Sequence, residues 1–129
     1  MIPAAVRRRL EAHAEAEAPN EACGFVALRD GVAERYLPGR NAASSPYRFE
    51  LEPGDPLDFF LEDEGYELAV FHSHPTESAR PSRTDVESVG LWAGRPYVIL
   101  SPATGELAAW RIQDGRVEPL ELVVRTSRP

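Results

Sequence analysis

Two histidines one residue apart, His72 and His74, are followed after ten further residues by Asp85, and this spacing constrains the chain more than any other feature. The segment Glu67 to His74 reads as a β-strand whose Leu68, Ala69, Val70 and Phe71 are apolar on both faces, so it belongs at the centre of a sheet. Side chains alternate along a strand, so His72 and His74 point to one face and Ser73 to the other. Pro75 cannot donate to a ladder and ends the strand. Ser82-Arg83-Thr84-Asp85 then reads as a helix start, with Ser82 at the cap and Asp85 in the first turn. A strand thus offers two imidazoles and a helix N-terminus one carboxylate. Three N/O donors leave a fourth tetrahedral position for water, the composition of a catalytic zinc site rather than a structural one.

The order His72-Ser73-His74-Pro75, six residues, Ser82, two residues, Asp85 resembles the signature of the JAMM (MPN+) zinc metalloproteases, and every position of it is matched. Pro19-x-Glu21-x-Cys23-Gly24 is similar to the bacterial form of the family's upstream glutamate element. The resemblance covers nearly the whole chain and implies roles residue by residue. His72, His74 and Asp85 would hold Zn2+; Glu21 would be the general base; Ser82 would donate to the oxyanion. It also implies cleavage after the C-terminal Gly-Gly of a ubiquitin-like protein. The small bacterial and archaeal members are linked to ubiquitin-fold sulfur carriers, removing them from lysines or trimming an adduct such as cysteine. A chain this short has no room for the insertions that select ubiquitin-chain linkages, so a small extended Gly-Gly groove is expected.

Rival readings are weaker on the residues themselves. Cys23 with a histidine base would make a thiol enzyme, but Cys23 lies in the apolar run Cys23–Leu28, and such a cysteine is usually a small core residue. His13 sits on a helix far from the motif, where a surface or half-buried histidine is the better reading. A RadC-like domain has a similar histidine pattern but normally carries an N-terminal DNA-binding region. A non-enzymatic scaffold of the same fold typically has lost ligands, and none is lost here. The absence of Cys-x-x-Cys and of HExxH removes the zinc deaminases and zincins.

Along the chain, Pro3 to Glu17 reads as a helix, with Ala5, Val6, Leu10, His13 and Ala14 near one face. Glu21–Leu28 is a buried strand, Asp30-Gly31 a hairpin turn and Val32–Leu37 the return. Residues 38–46 form a loop by composition. Tyr47, Phe49 and Leu51 alternate as a half-buried strand. Asp55 caps a helix begun by Pro56, with Leu57, Phe60 and Leu61 facing the core until Gly65. Further strands are expected at Tyr97–Leu100, Leu107–Ile112 and Val117–Val124, with a loose tail over 126–129. The sum is α+β: one domain over 1–129, a mixed curved sheet flanked by helices, in the cytidine-deaminase-like layering of the JAMM/MPN fold.

Composition adds exclusions. A net charge of −7 argues against general nucleic-acid binding, which needs a basic footprint. No apolar run approaches the roughly 20 residues that span a bilayer. Arg7-Arg8-Arg9 is followed by Glu11, His13, Glu15 and Glu17 rather than by an apolar signal segment. A single cysteine excludes an internal disulfide and fits a reducing cytoplasm. There is no lysine, so the side chains offer no acceptor for lysine-linked tagging.

Overall fold

A computed structural model describes residues 2–121 and places seven strands of that span in one mixed sheet. The first helix, α1 (Ala4–Glu17), buries Val6, Leu10 and Ala14, a spacing of four that keeps one stripe on the sheet. The strands are β1 (Cys23–Arg29), β2 (Val32–Asn41), β3 (Leu51–Pro53), β4 (Glu67–Ser73), β5 (Pro96–Ser101), β6 (Glu106–Gln113) and β7 (Arg116–Leu120). Their order is β3-β2-β1-β4-β5-β6-β7. Only β4 and β5 run parallel. A parallel pair needs a crossover connection, and here the crossover carries the short helix α2 (Arg83–Glu87). Asp30 and Gly31 both have positive φ, as the expected two-residue hairpin requires.

The two faces of the sheet carry separate apolar layers. Against α1 lie Val26, Leu28, Ala69, Phe71, Val98 and Leu100. On the opposite face Phe25, Leu68, Val70, Tyr97 and Ile112 meet Leu61, Val86, Val89 and Trp92. This α+β layering is the one expected from the sequence. No described helix is long and apolar enough to cross a membrane.

Three local expectations are corrected. β2 continues through Pro38 and Gly39 to Asn41, where a loop was expected. β3 crosses so closely that a Cβ on Gly39 would lie 2.6 Å from the Leu51 side chain and 2.8 Å from the Glu52 carbonyl oxygen. Gly39 is therefore a close-approach residue inside a strand rather than a turn signal. The strand expected from Tyr47 is absent: Tyr47 is exposed and regular pairing begins only at Leu51. The Arg48 carbonyl and Glu50 N–H are instead taken by the Asn41 side chain.

The segment Pro56–Glu64 is a 3-10 helix, capped by Asp55 through the Leu57 N–H. With three residues per turn, Leu57, Phe60 and Asp63 share one face. That face looks outward, so Leu57 and Phe60 are exposed, contrary to expectation, while Leu61 is buried as expected. Phe59 is also 39% exposed, although its ring packs on Phe25 and Trp92. The expected extension of the last strand past Leu120 falls mainly in 122–129, which lie outside the described residues, as does the expected loose tail.

Candidate metal centre

The end of β4 is the floor of the site. His72 is fully buried and His74 nearly so. His74 lies just past the strand, held by its N–H to the Leu100 carbonyl. Ser73 points the other way, and its hydroxyl oxygen accepts the Ala22 N–H at 2.8 Å. Asp85 reaches the histidines from the first turn of α2, where Ser82 and Asp85 form a reciprocal capping box. The Ser82 hydroxyl oxygen accepts the Asp85 N–H, and Asp85 Oδ2 accepts the Ser82 N–H at 2.9 Å. The cap that starts the helix therefore also aims the carboxylate.

Three donor atoms converge. His72 Nε2 and His74 Nε2 are 3.1 Å apart, and Asp85 Oδ2 is 3.1 Å and 3.0 Å from them. A tetrahedral zinc shell with bonds of roughly 2.0–2.1 Å sets its donors about 3.3 Å apart, so the spacing fits to within a few tenths of an ångström. His74 Nδ1 lies 2.8 Å from the Ser78 carbonyl. Nδ1 must donate there, which leaves Nε2 as the lone-pair nitrogen, the usual outer arrangement of a metal-binding histidine. Phe49 stacks on the His72 ring at 4.4 Å, and Tyr97 meets it edge-on.

The charges of the three groups are linked. Burial alone would raise the Asp85 carboxyl, but the facing His72, bonds to both imidazoles and the Ser82 N–H hold it well below the usual carboxylate range. Burial lowers His72 more than Asp85 restores it. For His74, burial is outweighed by the bonds to Asp85 and Ser78, so its pKa is raised. Of the two imidazoles, His74 is therefore the one with the higher proton affinity. Metal binding competes with protons for such a nitrogen.

Glu21 lies at the lip of the same floor. The antiparallel register Cys23↔His72 places the residues just before β1 alongside the end of β4. The Glu21 side chain is buried, and Oε1 has no hydrogen-bond partner among the described residues. Burial, then the charge of Asp85, raise its pKa to about 8, against a lowering by His74. An unpartnered buried carboxyl oxygen costs folding energy and calls for a role.

This cost gives a pH-dependent expectation for the metal-free protein. With a pKa near 8 folded against 4.5 unfolded, folding takes up a proton between these values. Stability from this group is complete below pH 4.5 and is lost as pH rises through 8, at about 1.4 kcal/mol per pH unit. Metal-free Glu21→Gln should match the wild type near pH 4.5 and exceed its stability increasingly toward pH 8. Urea titrations of the two proteins across that range check it; parallel curves would show that Glu21 is not buried as a neutral acid.

The other titratable candidates lie elsewhere. His13 is half-buried on α1, with Nδ1 2.6 Å from the Tyr36 hydroxyl, and takes no part in the donor cluster. Cys23 is buried, and burial followed by Glu21 pushes its thiol up to about 12. That is the reverse of an activated nucleophile. Sequence reasoning missed the contact of Phe49 with His72 and the role of the Ser78 carbonyl. The Phe49 alternation showed that the ring points inward but not what it meets.

Converging donors that could hold a metal, beside a desolvated carboxyl, match one class of proteins, the metal-dependent hydrolases. Within it, the chain belongs to the prokaryotic homologs of the JAB domain, whose family model matches residues 3–113. It is 36% identical over 133 residues to the CysO-cysteine peptidase of Mycobacterium tuberculosis, covering 95% of this chain and 90% of that one. It is also 36% identical over 121 residues to a probable TtuB-protein conjugate cleaving protease of Thermus thermophilus, covering 89% and 77%. The solution structure of a Desulfitobacterium hafniense protein superposes with a TM-score of 0.77 at 28% identity, covering 100% of this chain and 94% of that one. The chain is a JAMM-type hydrolase.

Proposed function

We propose that this protein hydrolyses the amide bond after the C-terminal Gly-Gly of a ubiquitin-like sulfur-carrier protein, with zinc held by His72, His74 and Asp85. The observation that carries the mechanism is Glu21, a buried carboxyl with an unpartnered oxygen whose proton affinity responds to Asp85 and His74. When bound, zinc supplies Lewis acidity, which lowers the pKa of a coordinated water to about 7 and polarises an acyl oxygen. Glu21 takes the proton of the attacking water on a carboxylate oxygen. It then returns that proton to the departing amine, so one residue serves as base and acid. A dication held by the three donors would favour the carboxylate form of Glu21. Ser82 uses its hydroxyl oxygen in the helix cap, which leaves its O–H proton for the developing oxyanion.

A groove beside the donor cluster supports binding of an extended tail. It has a volume of about 390 Å³ and runs between residues 48–51 and 88–92, walled by Phe49, Leu51, Val89, Leu91 and Trp92. It opens beside the ring that covers His72. The names of the two relatives support the substrate class and divide over the leaving group, one naming a cysteine adduct and the other protein conjugates.

The test is a cleavage assay read by mass spectrometry. Purified protein with zinc is mixed with the host's own ubiquitin-fold sulfur carriers, each bearing a cysteine-linked or lysine-linked adduct. Release of the free Gly-Gly terminus, abolished by chelation and restored by zinc, is the expected result and names the preferred adduct. Zinc bound in stoichiometric amount with no release from any carrier would overturn the proposal.

A further inference from the structure

The residues that hold Glu21 in place are not part of the metal cluster. Its N–H donates to the Ser45 carbonyl at 2.9 Å, and its carbonyl accepts from Asn41 Nδ2 at 3.1 Å. Asn41 Nδ2 also donates to the Arg48 carbonyl at 3.1 Å. Asn41 Oδ1 accepts the N–H groups of Ala43 at 3.0 Å and Glu50 at 2.9 Å. All four hydrogen-bonding capacities of one carboxamide are filled by main chain. The amide orientation follows from this, because the flipped form would set donors against two N–H groups.

The partners of Asn41 fall in two places. One is the peptide of Glu21. The others lie on the loop that follows β2, with Arg48 and Glu50 immediately flanking Phe49, the ring stacked on His72. A half-buried loop that makes no regular ladder before Leu51 would not by itself hold a ring or a carboxyl to catalytic tolerance. We propose that Asn41 is a positioning residue that fixes the Glu21 carboxyl and the Phe49 ring as one unit over the donor cluster. Its effect on turnover rests on the function proposed above; the tether itself does not.

Two variants separate the donor bonds of the carboxamide from its acceptor bonds. Asn41→Ala removes all four bonds. Asn41→Asp keeps acceptors for Ala43 and Glu50 but sets a carboxylate oxygen against the carbonyls of Glu21 and Arg48. A displacement of about 1 Å at a reacting group costs on the order of 10²-fold. Both variants should therefore bind zinc at wild-type stoichiometry and lose about 10²-fold in kcat with KM little changed. Amide hydrogen exchange provides the second readout. In Asn41→Ala the Glu50 amide, which loses its acceptor, and the Glu21 amide, bonded to Ser45 on the loop that Asn41 braces, should lose protection together. In Asn41→Asp the Glu50 amide keeps its acceptor, while repulsion at the Glu21 carbonyl should lower protection of the Glu21 amide.

Wild-type kcat in either variant, or Glu21 protection unchanged when Asn41 is removed, would overturn the proposal. If Asn41→Ala does not fold, Asn41→Asp carries both measurements. If the wild type cleaves none of the carriers, the functional reading fails, and exchange still decides whether Asn41 ties Glu21 to the Phe49 segment.

Discussion

Glu21→Gln should bind zinc as the wild type does and lose about 10³-fold or more in kcat, within or above the usual range for a removed general base. The amide of glutamine has nearly the shape of the carboxyl, and Glu21 is absent from the three-donor cluster of His72, His74 and Asp85. The metal donors therefore keep their geometry while the proton acceptor is lost. Substrate affinity should change little, because the base acts on the water and the leaving nitrogen rather than on the carrier. Single-turnover kinetics with zinc content measured on the same sample tests this. Turnover near the wild-type rate would remove Glu21 from the mechanism and return the proton to solvent.

Asp85→Asn should have the opposite signature, with loss of metal before loss of chemistry. Asp85 Oδ2 meets both imidazoles and accepts the Ser82 N–H. A neutral carboxamide can keep the cap bond but contributes no charge to a dication. Removing an outer partner of a metal site already costs about 10- to 100-fold in affinity, and a direct anionic donor should exceed that. Zinc competition against a chromogenic chelator measures it. The imidazoles also lose their counter-charge, so His74 should titrate lower in metal-free Asp85→Asn than in the wild type, visible in its imidazole NMR shifts. Unchanged zinc affinity would exclude Asp85 as a donor.

The site was legible in the sequence because its parts are local and chemically specific. Strand alternation put His72 and His74 on one face, Pro75 marked the strand end, and the Ser82/Asp85 spacing gave the capping box. Glu21 was different: nothing in its local pattern sets it apart from the other acidic residues, and only family resemblance singled it out. The structure supplies the physical reason in the pairing of β1 with β4, a long-range register that spacing cannot reveal. The misreadings share one cause. Apolar periodicity reports which side chains want burial, not how the main chain satisfies its hydrogen bonds. At Tyr47–Glu50 a side chain replaced the neighbouring strand, and at Pro56–Glu64 a tighter helix rotated Leu57 and Phe60 outward. Asn41 was invisible for the same reason, since an asparagine in a stretch punctuated by Pro, Gly and Ser reads as turn chemistry.

The seam between β1 and β4 separates two events in the life of the chain. His72 and Asp85 are only 13 positions apart, so a segment holding β4 and α2 contains all three donors of the candidate metal site. Glu21, the proposed base, comes from far upstream, beside a contact spanning 51 positions between Ala22 and Ser73. Under the proposed mechanism, metal binding and hydrolytic competence need not coincide. A chain that had bound its ion without pairing β1 to β4 would lack its base, and would hydrolyse only once the sheet had closed.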